Sequence, residues 1–381
     1  MKTFIHIPKT AGVTVREILT AGLRSDEILH IEDPNSITEN FSCGKEIRFI
    51  HGHIDISQAE LLAKTKTIYT FLRDPLERAI SEYNFIQSSN YSTSKLPTEQ
   101  AALIDEIRSI SLDDYLTSTK KGIRGRVQNA QLFYLSGDVF NPNISLRERF
   151  ETACRTIDNC KFVGILEDME ESITLLTIIE KLPPNTPTIR NSSKREKSSA
   201  SSQAISIFKE RNKYDYEIYK YARNRMKNDL QHKIQELALK NYLHNLVERP
   251  ALSGIKYSFD MPLEGDGWHT RETNGSSYWR FTGPGQKASL YFPRLSRPVR
   301  TITFKVVHAI TPAHFAQLQV LFNGHHLGPG NHEDMQVKFS IPLAAQEAAY
   351  TCIEIITPPA QKPETGDNRK LGIAFSSIEI D

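Results

Sequence analysis

The chain is poor in cysteine, with four in 381 residues. Cys43, Cys154, Cys160 and Cys352 are scattered, which argues against a disulfide-rich scaffold, and no cysteine–histidine cluster has the spacing of a zinc site. We therefore expect free thiols in a reducing compartment and no zinc site. A disulfide between Cys154 and Cys160 is the alternative.

Long apolar runs and a strong charge imbalance are also missing. Without about 18 consecutive apolar residues, no transmembrane helix is predicted. Only a short apolar stretch lies between Lys2 and Pro8, so no signal peptide is expected. The net charge of +2 indicates no strong attraction to nucleic acid or to membranes. A chain of 381 residues with 39% hydrophobic and 24% charged residues suits a globular protein of two domains.

The first motif is a short apolar strand, a tight Lys-Thr turn and a helix start, in the sequence TFIHIPKTAGVT from Thr3 to Thr14. Such a turn predicts a phosphate site, because amide groups and the dipole of a helix N-terminus favour an anion. An ordinary turn containing lysine stays open as an alternative, since the full G-x-x-x-x-G-K-[ST] pattern is absent. The predicted phosphate-binding residues are Lys9, Thr10, Ala11, Gly12, Val13 and Thr14.

The second motif joins a β-branched strand to a helix. The run KTIYTFL from Lys66 predicts a buried strand, and Arg73 follows it. Asp74 is suited to cap the next helix and Pro75 to occupy its first position. Arg73 and Ser81, two turns into that helix, are predicted to bind one phosphate. An amphipathic helix with solvated charges is the alternative.

Together these motifs resemble the carbohydrate type of sulfotransferases that use 3′-phosphoadenosine 5′-phosphosulfate (PAPS) and release 3′-phosphoadenosine 5′-phosphate (PAP). The resemblance covers roughly residues 2–235. HIPKTAG, beginning at His6, looks like the family's loop for the 5′-phosphosulfate, and RDPLERAISEY, beginning at Arg73, looks like its site for the 3′-phosphate. The resemblance implies a glycan or another hydroxyl-bearing acceptor, a reaction that needs no metal, and Lys9 balancing charge on the bridging oxygen.

Within the family, the heparan sulfate and dermatan or chondroitin uronosyl 2-O-sulfotransferases are most similar. The likeness rests on the sequence His-Gly-His at 51–53 and on FVGILEDME at 162–170. It implies that His53 is the catalytic base and His51 a second active-site histidine. A neutral imidazole suits proton transfer near pH 7. Polar residues at a strand end are the alternative.

Two further expectations follow from the resemblance. Relatives have a lid over the nucleotide where this chain has a basic, Ser- and Pro-rich segment at 183–202, so Arg190, Lys194 and Lys197 are predicted to bind the donor. A flexible linker is the alternative. Animal relatives begin with a Golgi anchor, which this sequence lacks. We therefore expect a cytoplasmic, bacterial enzyme.

Alternating strands and helices predict a parallel α/β sheet flanked by helices in residues 1–248, with the P-loop-like sulfotransferase fold. Strands are expected at 2–7, 47–52, 67–72 and 161–165, and helical structure from Ser201 to about Val247. After Arg249-Pro250, short apolar runs separated by turns such as Asn323-Gly324 predict a β-sandwich at 251–381, loosely similar to carbohydrate-binding domains. Trp268 and Trp279 there are either core residues or a sugar-stacking platform.

Two other functions stay open. A P-loop phosphotransferase, such as a nucleotide kinase, would also use Lys9 and an arginine. The sequence shows neither the glycine pattern nor a Mg²⁺-binding aspartate at a strand end that such an enzyme needs. A glycan-binding protein with an inactive transferase half is the second alternative, and the intact Lys9, His53, Arg73 and Ser81 argue against it.

Overall fold

The structure is a computed structural model that describes residues 1–32, 37, 46–62, 67–88, 97–137, 143–182, 199–364 and 367–381. The chain divides into two compact units, Met1–Gln235 and Glu236–Asp381. The predicted domain boundary near residue 248 remains a prediction.

The first unit is built on a five-stranded parallel sheet. Its strands are β1 (Lys2–Ile5), β2 (Ile28–Ile31), β3 (Phe49–Gly52), β4 (Ile68–Leu72) and β5 (Phe162–Ile165). They are ordered β2-β3-β1-β4-β5, and every neighbouring pair is parallel. Strands β3, β4 and β5 are buried along their whole length, as expected of a sheet covered on both faces. The predicted fold class of this half is confirmed.

Eleven helices accompany these strands along the described chain. They are α1 (Gly12–Thr20), α2 (Ile56–Leu62), α3 (Pro75–Ile86), α4 (Thr98–Ser109), α5 (Leu112–Thr117), α6 (Lys121–Val127), α7 (Ala130–Ser136), α8 (Leu146–Asn159), α9 (Met169–Glu180), α10 (Ser202–Arg211) and α11 (Lys213–Val247). The prediction that residues from Ser201 to about Val247 are helical is confirmed, as two consecutive helices, α10 and α11. Asn212 interrupts the helical stretch, because its buried side chain accepts a hydrogen bond from the Asn129 amide at 2.7 Å.

Local sequence signals explain the start of α3. The Asp74 carboxylate accepts hydrogen bonds from the amides of Leu76 and Glu77 at 2.9 and 3.1 Å, and Pro75 is the first helical residue. This is the cap that the sequence predicts. It fixes the direction in which the chain leaves β4, and therefore the position of Arg73 between strand and helix.

The edge strand β2 has no counterpart among the predicted strands. It is four residues long, and only Ile31 is fully buried. It pairs with β3 so that His30 lies opposite His51. So short and half-exposed a run carries little periodic signal, and its neighbour in the sheet decides its conformation.

The second unit contains antiparallel sheets, which confirms the predicted all-β architecture. Its elements are β6 (Ile255–Ser258), β7 (Gly265–Asp266), β8 (Glu272–Thr273), β9 (Tyr278–Phe281), β10 (Lys287–Pro293), β11 (Thr301–Ala309), α12 (Pro312–Ala316), β12 (Gln319–Phe322), β13 (His325–His326), β14 (Asn331–Glu333), β15 (Gln336–Ser340), β16 (Tyr350–Ile356) and β17 (Ile373–Ile380). One sheet is ordered β13-β12-β16-β10-β7; the other is ordered β14-β15-β11-β17-β9-β8, with β6 also on β17. Leu290 and Phe322 from one sheet and Phe304 and Phe375 from the other share one core. The predicted Asn323-Gly324 turn joins β12 to β13, with φ of 50° and 81°.

The two tryptophans of this unit differ in their surroundings. The Trp268 ring packs on Phe259 at 4.7 Å between centroids, and its indole N–H donates to the Ser289 carbonyl at 2.9 Å. Trp268 is therefore partly buried and packs against the core of this unit. Trp279 is half-buried beside Phe281, and its indole nitrogen is buried without a hydrogen-bond partner.

The described cysteines are free thiols: Cys154, Cys160 and Cys352. The alternative of a Cys154–Cys160 disulfide is therefore not realised in the structure. Cys43 lies outside the described residues.

Candidate active site at the carboxyl edge of the parallel sheet

Three predicted motifs follow the carboxyl ends of three adjacent strands. The order β3-β1-β4 places the segments after Gly52, Ile5 and Leu72 side by side. These segments contain His53, Lys9 and Arg73, respectively. In open parallel sheets this edge is where ligands bind, because the loops leave the layer of helices and strands there.

The loop after β1 has a strained backbone. Lys9 and Ala11 have φ of 71° and 67°, a left-handed conformation that is uncommon for residues other than glycine. Between them, the buried Thr10 hydroxyl donates to the carbonyl of Ile7 at 2.8 Å and closes the loop. Ala11 precedes α1 and gives no side-chain acceptor to its first amides. These amides and the helix dipole favour an anion at this position.

The space beside Gly12 is filled by the chain itself. A Cβ atom at position 12 would lie 2.0 Å from the imidazole of His6, so any other residue would displace that ring. Gly12 is therefore required for the packing of His6. The prediction that Gly12 lets a phosphate approach stays untested.

A hydrogen bond connects the Lys9 and Arg73 motifs. Nη1 of Arg73 donates to the carbonyl of Lys9 at 3.2 Å. The ammonium of Lys9 lies 3.9 Å from the ring centre of Phe85, and burial, together with Arg73, lowers the pKa of Lys9. Nη2 of Arg73 is 3.8 Å from Glu77, while its Nε is buried without a partner. Two cations thus share a site in which a buried donor remains unsatisfied, which is costly unless a ligand supplies an acceptor.

Sequence reasoning missed the residue that holds the backbone of Arg73. The buried side chain of Gln131, on α7, accepts from the Arg73 amide at 3.0 Å and donates to the Arg73 carbonyl at 2.8 Å. In turn, Asp215 on α11 accepts from the amides of Gln131 and Leu132. Burial raises the pKa of Asp215 to about 6, against the opposing effect of these hydrogen bonds. A lone glutamine 58 residues away in sequence gives no local signal of this role.

The imidazole of His53 is held by His6. The two rings stack at 4.5 Å between centroids, and Nδ1 of His53 lies 2.9 Å from the carbonyl oxygen of His6. Because a carbonyl only accepts, Nδ1 carries the proton and Nε2 keeps the lone pair in neutral His53. His53 is exposed as a residue, yet the atoms packed around its ring desolvate it and lower its pKa. The His53 imidazole is thus neutral near pH 7.

His51 has a different environment, in a second stacked pair. It is buried in β3, its ring stacks on His30 at 4.5 Å, and the two Nδ1 atoms are 3.3 Å apart. Burial and the neighbouring His30 lower the pKa of His51 to about 4. The sequence predicts that His51 and His53 share a site. The structure places them in neighbouring histidine pairs, each with a partner that sequence reasoning did not identify.

Ser81 and Arg78, two polar residues of the second motif on α3, have different surroundings. Ser81 is half-buried on α3. Arg78, which the sequence places on the same helix face, is 2% exposed, pairs with Glu82 at 2.8 Å and donates to the carbonyl of Arg126. Arg78 therefore holds helices together.

The remaining predicted donor-binding residues, Arg190, Lys194 and Lys197, lie outside the described residues. Within the described ranges, no group of three or more His, Cys, Asp or Glu side chains is arranged to hold a metal ion. None of the helices in the described part of the chain is long and apolar enough to cross a membrane.

Comparison with known proteins gives one family and several structural similarities. The model of the "Sulfotransferase family" matches residues 3–222. No curated protein matches the chain. Among solved structures, the mouse sulfotransferase SULT7A1 complexed with PAP is 16% identical over 48% of this chain and 59% of its own, with a TM-score of 0.26. A family 35 carbohydrate binding module from Clostridium thermocellum is 10% identical over 34% of this chain and 97% of its own, with a TM-score of 0.21.

Proposed function

The chain belongs to the sulfotransferase family, and from this premise we propose that it transfers a sulfuryl group from PAPS to a hydroxyl group of a carbohydrate. The observation that carries the proposal is the hydrogen bond from Arg73 to the Lys9 carbonyl, which joins two predicted phosphate-binding motifs 64 residues apart. His53 follows the adjacent strand at the same edge of the sheet.

The donor is bound by groups of both motifs in this proposal. The amides of Thr10 to Thr14 and the ammonium of Lys9 bind the 5′-phosphosulfate. Arg73 and Ser81 bind the 3′-phosphate, whose oxygens offer the acceptor that the buried Nε of Arg73 lacks. Arg190, Lys194 and Lys197 cover the nucleotide.

The chemical step is an in-line transfer. Nε2 of His53 takes the proton of the acceptor hydroxyl while its oxygen bonds to sulfur, and the bond between sulfur and the bridging oxygen of PAPS breaks. The products are a sulfate ester and PAP, and the protonated His53 later releases its proton to water. Lys9 stabilises the charge that develops on the bridging oxygen. We also propose that His51, which lies beside His30 in the sheet, is the second histidine of this site.

A uronic acid in a polymeric glycan is the proposed acceptor. The support is the His-Gly-His sequence at 51–53, which carries the resemblance to the uronosyl 2-O-sulfotransferases and follows strand β3 at the carboxyl edge. We test the acceptor with sulfur-radiolabelled PAPS on heparosan, unsulfated chondroitin and dermatan, with a neutral glucan as control. Label on the glucan alone would contradict a uronosyl acceptor.

Thermal unfolding in the presence of nucleotides tests the donor. PAP should raise the melting temperature well above the effects of ADP and AMP, because Arg73 and Ser81 require a 3′-phosphate. The same measurement is made on Arg73→Ala. Its matched control is Arg147→Ala, since Arg147 is an exposed arginine paired with Glu151. Stabilisation by ADP with Mg²⁺ and none by PAP would favour a kinase. PAP binding without transfer to any acceptor would favour an inactive, glycan-binding protein.

We further propose that residues 1–248 form the transferase domain and that residues 251–381 position a polymeric acceptor. Within the second unit, the Tyr242 hydroxyl donates to Glu264 and Arg249 pairs with Glu264 at 3.2 Å. Truncated chains ending at 235 and at 248 therefore test which boundary is stable. A stable truncated chain should bind PAP like the whole chain and show a raised KM on long glycans only. Loss of PAP binding in both would contradict the two-domain proposal.

A further inference from the structure

His6 supports His53 in two ways that the proposed reaction does not itself require. Its ring stacks on the imidazole at 4.5 Å with 29° between the ring planes, and its backbone carbonyl accepts from Nδ1 at 2.9 Å. The His6 amide also donates to the Gly52 carbonyl at 3.1 Å, which extends the pairing of β1 and β3 up to the residue before His53. The backbone of residue 6 is thus fixed relative to that of residue 53.

The ring of His6 is fixed from its other sides as well. It stacks on Phe4 at 5.7 Å and fills the space where a Cβ of residue 12 would lie, 2.0 Å from the ring. Burial, with a contribution from His53, lowers the pKa of His6 to about 3. The ring therefore stays neutral across the range in which His53 must accept a proton.

We propose that His6 is a positioning residue for His53: its ring shields and orients the imidazole, its carbonyl places the proton on Nδ1, and Nε2 remains the basic nitrogen. Gly12 contributes to this positioning because it leaves room for the His6 ring. This inference rests on the proposed role of His53 as the base, and it concerns how that base is held.

Nuclear magnetic resonance of the histidine rings in the full chain without nucleotide tests the proposal. The His53 signal is assigned by comparison with His53→Ala. In the unmodified protein, His53 should carry its proton on Nδ1 and titrate below the ordinary histidine value of 6.5. In His6→Ala, water reaches the ring, so its pKa should rise, while the backbone carbonyl of residue 6 should still hold the proton on Nδ1. His6→Phe keeps a flat ring and should restore the low pKa.

Other charged and titratable groups also influence the pKa of His53, and a test variant must leave their surroundings unchanged. Those facing His6 are Arg16, His30, His51 and His53, and those facing His53 are His30, Glu82 and Arg126. The His51 signal should therefore move little in His6→Ala. Gly12→Ala, which pushes the His6 ring away, should resemble His6→Ala in the His53 titration.

Turnover on the best acceptor separates positioning from a general loss of structure. His6→Ala should lower kcat by about tenfold, move the acid limb of the kcat/KM profile to higher pH, and leave PAP affinity within about twofold. In the His53→Ala background the same change should have less than about a twofold effect, because the group it acts through is gone. An Nε2–H tautomer in the unmodified protein, or an unchanged His53 titration in His6→Ala, would overturn the inference. Normal turnover of His53→Ala would instead contradict the proposed base.

Discussion

Buried charge is fully paired at the amino end of the parallel sheet and incompletely paired at its carboxyl end. At the amino end, Glu180 is held by Lys2, by Lys161 at 2.6 Å and by the Tyr69 hydroxyl at 2.6 Å. At the carboxyl end, Lys9 and Arg73 lie together, and Nε of Arg73 has no partner.

This difference supports the proposal that the carboxyl end binds a ligand, whereas the amino end is a structural cluster. Burial alone would raise the pKa of Glu180, but hydrogen bonds from Lys161, Lys2 and Tyr69 lower it to about 2, so its charge is satisfied within the fold. At the other end, burial lowers the pKa of Lys9 and of Arg73, so both cations are held at some cost. A fold retains such a cost where a ligand removes it.

The largest effect is expected from His53→Ala. Turnover should fall about 10²-fold or more, because the acceptor hydroxyl loses its base, while PAP affinity changes by less than about twofold. Steady-state kinetics and calorimetry with PAP measure the two quantities. His232→Ala, an exposed histidine on α11, is the control and should match the unmodified protein. If PAP affinity falls together with turnover, His53 acts on the donor. Another residue at the carboxyl end would then have to be the base.

Arg73→Ala should weaken PAP binding by about 1.5–3 kcal/mol, the usual cost of losing a charged hydrogen bond. Its free energy of unfolding without PAP should change by less than about 1 kcal/mol, since the lost cation was only partly satisfied. Calorimetry and urea unfolding test both, with Arg147→Ala as the control. A large loss of stability with unchanged PAP affinity would make the carboxyl end a second structural cluster.

Glu180→Gln should show the reverse pattern. The free energy of unfolding should fall by about 2 kcal/mol, less than for a fully buried pair because Lys2 and Lys161 are partly exposed. PAP affinity should not change. Glu151→Gln, which breaks an exposed pair with Arg147, should cost less than about 0.5 kcal/mol. Weaker PAP binding in Glu180→Gln would mean that the two ends are not independent.

The same carboxylate predicts a pH dependence of stability. Its pKa is lowered from 4.5 to about 2 on folding, so its contribution is present above pH 4.5 and is lost as the pH falls towards 2. Urea unfolding between pH 5 and 2 should therefore be less steeply pH-dependent in Glu180→Gln than in the unmodified protein. Parallel curves would show that Glu180 is not the group that titrates there.

Gln131→Leu should have the smallest effect on the donor. It leaves the amide and carbonyl of Arg73 without partners, so PAP binding should weaken by about 1 kcal/mol through misplacement of the guanidinium. Gln128→Leu is the matched control, because Gln128 makes one long hydrogen bond of 3.4 Å to Arg211. Equal PAP affinity in the two variants would mean that α3 alone positions Arg73.

Much of the fold could be predicted because its signals are local. The strand at Ile68–Leu72, the Asp74 cap and the Asn323-Gly324 turn each depend on a few adjacent residues, and the structure confirms all three. The strand at Ile28–Ile31 could not be predicted, since a half-exposed edge strand depends on its partner. The break at Asn212 likewise depends on Asn129, far away in sequence.

The sequence by itself determined the class of most elements, the family resemblance and the choice of Lys9, His53 and Arg73 as candidate site residues, because these follow from residue type and short spacing. Only the tertiary structure decided which groups surround them. The order β3-β1-β4 brings His6 onto His53, and the packing of α7 brings Gln131 onto Arg73. Such contacts between distant residues leave no pattern along the chain, because burial and hydrogen bonding are properties of the packed fold.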